Sequence, residues 1–195
     1  MKRIVLLLLV AASMGGFTLS AQTVNSLENG KYSLSVGDVT LTVDASRGGK
    51  IVSYKYKDTE ILSQTRMPNS FGSTFWTSPQ SEWNWPPVPE YDTKPFNAEV
   101  TDGKLVLTGE KSKRFGYKVR KEFVADTKDN AIVITYTLVN ESGETRKVAP
   151  WEISRVPNGG ILFFDAKEVT PANNMAGLPF VYEKKAAWYV LDEDR

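Results

Sequence analysis

The chain has 195 residues, 24 Lys and Arg against 23 Asp and Glu, and neither histidine nor cysteine. A near-neutral chain without a long basic run has no global electrostatic hold on nucleic acid or anionic lipid. The two missing residue types exclude disulfides, zinc sites of His and Cys, and Ser-His-Asp or Cys-His catalysis. Acid and base work is left to carboxylates, Lys or Tyr, and no cofactor or metal is assigned.

Met1-Lys2-Arg3 followed by the apolar run Ile4 to Ala12 has the pattern of a signal peptide, with Leu19-Ser20-Ala21 as its cleavage site. The run is shorter than the roughly 20 residues needed to cross a bilayer. The expected organisation is a signal peptide over 1–21 and a single domain over 22–195, periplasmic or secreted, with no membrane insertion once the leader is removed. Cutting 21 residues from 195 leaves 174, enough for one core, and losing Lys2 and Arg3 takes the formal charge from +1 to −1. Without cysteine the chain carries no lipidated cysteine anchor.

Period-two alternation dominates the chain beyond the leader. Tyr32 to Val36 and Val39 to Val43 alternate on either side of Gly37-Asp38, which reads as a hairpin. Strands are expected at Ile51 to Tyr56, Glu60 to Leu62, Asn97 to Thr101, Lys104 to Thr108, Tyr117 to Ala125, Ala131 to Val139 and Arg146 to Ser154. Turn chemistry such as Asp102-Gly103 and Asn140-Glu141-Ser142-Gly143 bounds them. Both faces of Ala131 to Val139 carry apolar residues, which predicts a central strand. The fold class is therefore all-β, an antiparallel β-sandwich. Asp126 to Asn130 holds oxygen ligands but lacks the spacing and glycine of an EF-hand, so it reads as a turn.

Ser63 to Phe96 reads as one long irregular segment, and loops of that length in a compact domain are often functional. Trp76, Trp83 and Trp85 lie in it, interleaved with Gln80, Glu82, Asn84, Glu90 and Asp92. Indole faces beside amides and carboxylates suit a pyranose, which offers C–H faces for stacking and hydroxyls for hydrogen bonds. The alternative is that these tryptophans plug the end of the sandwich as a satellite core.

The stretch Val39 to Tyr54, an alternating strand, the pair Gly48-Gly49 and a second strand, resembles the opening of the galactose mutarotase-like superfamily. Tyr136 to Ile153 is similar to the strand, Asn-containing turn and strand that lead these proteins into their active-site histidine motif. The series as a whole resembles most an exported group from Bacteroides-type bacteria. The resemblance implies an antiparallel β-supersandwich, for which the chain is short at its C-terminal side, with a sugar cleft on one sheet. It also marks a departure: the family's aldose 1-epimerases use histidines with a late glutamate base, and Trp151-Glu152 stands where the histidine motif would fall.

Glu152 is the candidate catalytic residue, because desolvation beside Trp151 would raise its pKa; it is otherwise a solvated strand end or a partner for Arg155. Glu82 is the candidate second carboxylate of a glycosidase-like catalytic pair, with Glu90 as an alternative. Arg114 and Arg155 are candidates for holding sugar hydroxyls or a uronate carboxylate, although single arginines on strands are mostly surface residues. The sugar-binding set is thus Trp76, Trp83, Asn84, Trp85, Arg114, Trp151 and Arg155. Three readings stay open: an exported carbohydrate-binding protein, a carboxylate-dependent glycoside-active enzyme using Glu152, and a non-catalytic structural or interaction β-domain.

Overall fold

The computed structural model describes residues 24–65, 70–166 and 180–191. The expected signal peptide and its cleavage site lie outside the described residues. Among the described residues fourteen strands and almost no helix form an antiparallel all-β sandwich.

The first sheet begins with β1 (Val24–Ser26), β2 (Lys31–Val36), β3 (Val39–Asp44) and β4 (Lys50–Tyr56), with the short β5 (Thr59–Glu60) paired to β4. The β2–β3 hairpin pairs Val36 with Val39 as the alternation predicts. Leu34 and Val36 on β2 and Leu41 and Val43 on β3, alternate residues of the pair, are fully or nearly fully buried. Such burial stabilises by roughly 1.5–3 kcal/mol per side chain. A register shift at Thr42/Val43 bends β3 against β4.

The sheet then continues through a strand the sequence reading missed. Ser73–Ser78 is β6, inside the segment expected to be irregular, and it pairs with β11 (Ala149–Ser154). Both faces of β6 are covered, so Ser73, Thr74 and Thr77 are as buried as Phe75 and Trp76. The polar–apolar alternation that marks a half-exposed strand is therefore absent. Only Ile51 and Ser73 pair across β4 and β6. Gly72 allows the approach, since a Cβ there would stand 2.2 Å from the Ile51 carbonyl oxygen. The last strand of this sheet starts at Ala149 rather than Arg146.

The second sheet is β7 (Asn97–Thr101), β8 (Lys104–Thr108), β9 (Tyr117–Asp126) and β10 (Ala131–Asn140), in the order β10-β9-β8-β7. The β9–β10 turn is closed by Asp126, whose carboxylate accepts from the backbone N–H groups of Lys128 and Asp129. Among the described residues β10 is an edge strand, not the central strand expected. Ile132, Ile134, Tyr136 and Leu138 pack on the core while Val133 on the other face is 46% exposed.

The two sheets face each other across one core, where Phe75 of β6 stacks on Tyr136 of β10 with ring centroids 4.7 Å apart. A third, three-stranded sheet of β12 (Gly160–Asp165), β13 (Val181–Glu183) and β14 (Ala186–Leu191) has the order β12-β14-β13. Phe163 and Trp188 stack on it.

Candidate functional site

Alternation along β11 decides the geography of the site. Trp151 lies opposite Trp76 and Glu152 opposite Phe75, so Trp151 and Trp76 share the outer face of the first sheet while Glu152 points between the sheets. The chain after β6 folds back over the outer face through a short 3₁₀ turn, Gln80–Glu82, and a single helical turn, α1 (Pro89–Asp92).

That fold-back gathers four tryptophans. The indole of Trp76 meets those of Trp83, Trp85 and Trp151 edge to face, at centroid distances of 5.7, 5.8 and 5.6 Å. The four are not equivalent. Trp83 is 3% exposed and donates its Nε1–H to the Thr77 carbonyl, and Trp76 is 9% exposed and donates to Asp92 Oδ1 at 2.9 Å. With Val88 and Tyr91, Trp83 joins the main core as a plug at the end of the sandwich. Trp151 is half-buried, and Trp85 is 68% exposed.

Trp76 and Trp85 wall a cavity of about 310 Å³ on the outer face. Its polar lining includes Arg47, Lys50, Thr74, Asp92 and Arg155, which come from several separate elements. Arg155 sits just beyond β11, donates to Thr74 Oγ1 at 3.1 Å, and holds its guanidinium 5.9 Å from the Trp76 ring centroid. Its backbone is fixed on both sides, with its N–H donating to the Gly72 carbonyl and its carbonyl accepting from Ser63. Lys50 is buried with its ammonium 4.0 Å from the centre of the Phe71 ring.

Arg47 and Lys50 flank the Gly48-Gly49 turn, and this turn is held from within the core. Lys121 of β9 is fully buried and donates to the carbonyls of Gly48 and Gly49 at 2.8 and 3.1 Å. Burial pulls its pKa down to about 8, against the opposing pull of Glu152 and Asp92. From the other side, Gly48 at φ +63° lies so close to the helical turn that a Cβ would stand 2.2 Å from the Asp92 carbonyl oxygen. The cations on the turn and the acid on α1 are thus set in place by one contact that only glycine permits.

Glu152 occupies different surroundings. It lines a groove of about 240 Å³ between the sheets, walled by Leu41, Ile51, Tyr54, Ile132, Ile134 and Tyr136. Its carboxylate accepts from Ser73 Oγ and bonds with Tyr136. Although the residue keeps solvent contact along the open groove, crowding around the carboxyl raises its pKa. The bonds from Ser73 and Tyr136 and the charges of Lys121 and Arg155 oppose that rise.

Of the residues singled out in the sequence, the structure brings Trp76, Trp83, Trp85, Trp151 and Arg155 together. Arg114 lies on the far side of the Trp85 loop and donates to the backbone carbonyls of Glu82 and Trp83. Asn84 is exposed at φ 55°, a left-handed position that asparagine tolerates in turning the chain between Trp83 and Trp85. Glu82 and Glu152 are not brought together. The charges acting on Glu152 are Lys121 and Arg155, whereas Glu82 acts on Tyr91 and Tyr117. The sequence reading missed Arg47, Lys50 and Thr74 as lining residues and named Asp92 only among the polar residues interleaved with the tryptophans. Cations flanking a glycine pair were the available signal for the first two. Thr74 faces the cavity from a strand that long-range pairing with β11 sets in place.

A scan against protein-family models matched none, and searches of curated proteins and of solved structures returned no match. Among the described residues no helix is long and apolar enough to cross a membrane, and no group of His, Cys, Asp and Glu is arranged to hold a metal ion.

Proposed function

We propose that this chain is an exported carbohydrate-binding protein of mutarotase-like kind, which takes sugar in the outer-face cavity beside Trp85. The observation that carries this reading is the 68% exposure of Trp85, an indole presented to solvent at the mouth of a cavity lined by Thr74, Asp92 and Arg155. A large aromatic left open beside convergent polar groups provides a stacking face and hydrogen-bonding partners in the combination a pyranose needs. The exported location rests on the leader sequence, and the family reading on the Val39 to Tyr54 and Tyr136 to Ile153 resemblance.

A carboxylate-dependent glycoside activity has one observation in its favour, the raised pKa of Glu152 in an open groove. Among the described residues that line the groove there is no second carboxylate, and division of acid and base roles requires two. Binding is therefore the preferred reading.

The experiment is a titration of intrinsic tryptophan fluorescence with a panel of neutral and acidic mono- and oligosaccharides, on the wild type and on Trp85→Ala. Saturable binding to wild type that weakens at least about tenfold in Trp85→Ala is expected, the scale of one lost stacking contact. Absence of a shift with every sugar would turn the outer face into a structural plug.

A further inference from the structure

We infer that the ligand is an acidic oligosaccharide which straddles the Trp85-Pro86-Pro87 ridge, with anionic groups on both sides of it; this rests on the carbohydrate reading above. The ridge is a shared wall. The cavity already described lies on one side, and a second of about 300 Å³ lies on the other, both lined by Trp85, Pro86 and Pro87. A sugar stacked on an indole exposed between two cavities directs its neighbouring residues into each of them.

Cations outnumber acids on both sides. The first cavity is lined by Arg47, Lys50 and Arg155 against Asp92 alone. The second is lined by Lys113 and Arg114 against Glu90, whose carboxylate is already paired with Lys94 at 3.1 Å. Arg114 bonds to two backbone carbonyls and lies 4.9 Å from the Phe115 ring centroid, contacts that orient the guanidinium without neutralising it. Arg155 is likewise bonded to a neutral hydroxyl and set over a ring. Among the described residues neither arginine forms an ion pair with a carboxylate. Planar guanidinium groups held by neutral acceptors beside a stacking indole fit carboxylate or sulfate substituents on successive sugars.

The test compares oligogalacturonides of one to four residues, the same oligomers as neutral methyl esters, and sulfated galactan oligosaccharides by calorimetric titration. Wild type should prefer an acidic series over the esters by at least about tenfold, the scale of one charge-assisted hydrogen bond. Affinity should rise beyond the monosaccharide. Arg155→Gln and Arg114→Gln should each weaken binding of the acidic series more than binding of the esters, and so reduce the acidic preference. If Arg114→Gln lowers Tm, the exposed Lys113→Gln makes the same test of the second cavity. Preference for uronide or for sulfate supports the inference and identifies the substituent. Equal affinity for esters and acids overturns it while leaving carbohydrate binding intact. Saturation of affinity at one residue overturns the two-sided placement, and failure of every saccharide overturns both readings.

Discussion

Trp151 and Glu152 are adjacent in the chain and leave β11 on opposite faces of the sheet, Trp151 toward Trp76 and Glu152 toward Ser73 and Tyr136. A single step along a strand separates the aromatic surface from the carboxylate whose pKa burial raises. The pairing of stacking residue and acid that their adjacency predicts is thereby undone. The consequences can be measured one residue at a time.

Trp83→Ala and Trp85→Ala should have opposite phenotypes. Trp83 is buried and hydrogen-bonded, so its truncation should cost about 3–5 kcal/mol of stability, visible in denaturant unfolding. Trp85 is largely exposed, and its loss should change stability by no more than roughly 0.5 kcal/mol while weakening sugar binding. Equal stability losses would mean that Trp85 is core as well.

Lys121→Met should change the pH dependence of stability. The native pKa of Lys121, about 8, lies below the ordinary 10.5. Between those values the unfolded chain holds a proton that the native chain has released, so the contribution is full above 10.5 and is lost as pH falls through 8. Wild type should therefore gain stability relative to the variant from pH 8 to pH 10.5, on the order of 3 kcal/mol at most. Urea midpoints for the two proteins across that range provide the measurement. A constant difference would show that Lys121 does not titrate there.

Glu152→Gln should stabilise the protein at neutral pH. The native pKa is raised, so the contribution of Glu152 is present below the ordinary value of 4.5 and is lost as pH rises through the native pKa. Glutamine removes that loss and retains an acceptor for Ser73. Thermal unfolding at pH 4 and pH 7 should show the variant gaining on wild type only at the higher pH.

Gly48→Ala should strain the turn at φ +63° and drive a methyl group into the Asp92 carbonyl. A cost of about 1–3 kcal/mol is expected, together with weaker binding in the cavity that Arg47, Lys50 and Asp92 line. Unaltered binding in a folded variant would separate the turn from the site.

Much of the sandwich was legible because strands such as Val39–Asp44 and Tyr117–Asp126 alternate between a buried and a wetter face, and turn residues bound them. The strand Ser73–Ser78 was not legible, because burial on both sides mixes Ser and Thr with Phe75 and Trp76. Ala131–Asn140 misled in the opposite sense, since Val133 is apolar and still faces outward on an edge. For the candidate site, density of tryptophan marked a segment that walls the outer-face cavity, but composition cannot separate the buried Trp83 from the exposed Trp85. Nor can it place Arg47 and Lys50 beside Arg155, which requires the turn held by Lys121 and the closure of β6 on β11.

The most direct test of the account is the saccharide affinity of Trp85→Ala and Glu152→Gln measured side by side with wild type. Sugar taken on the outer face predicts loss of binding in Trp85→Ala and wild-type affinity in Glu152→Gln. Retention in the first and loss in the second would move the site to the groove between the sheets and contradict the assignment.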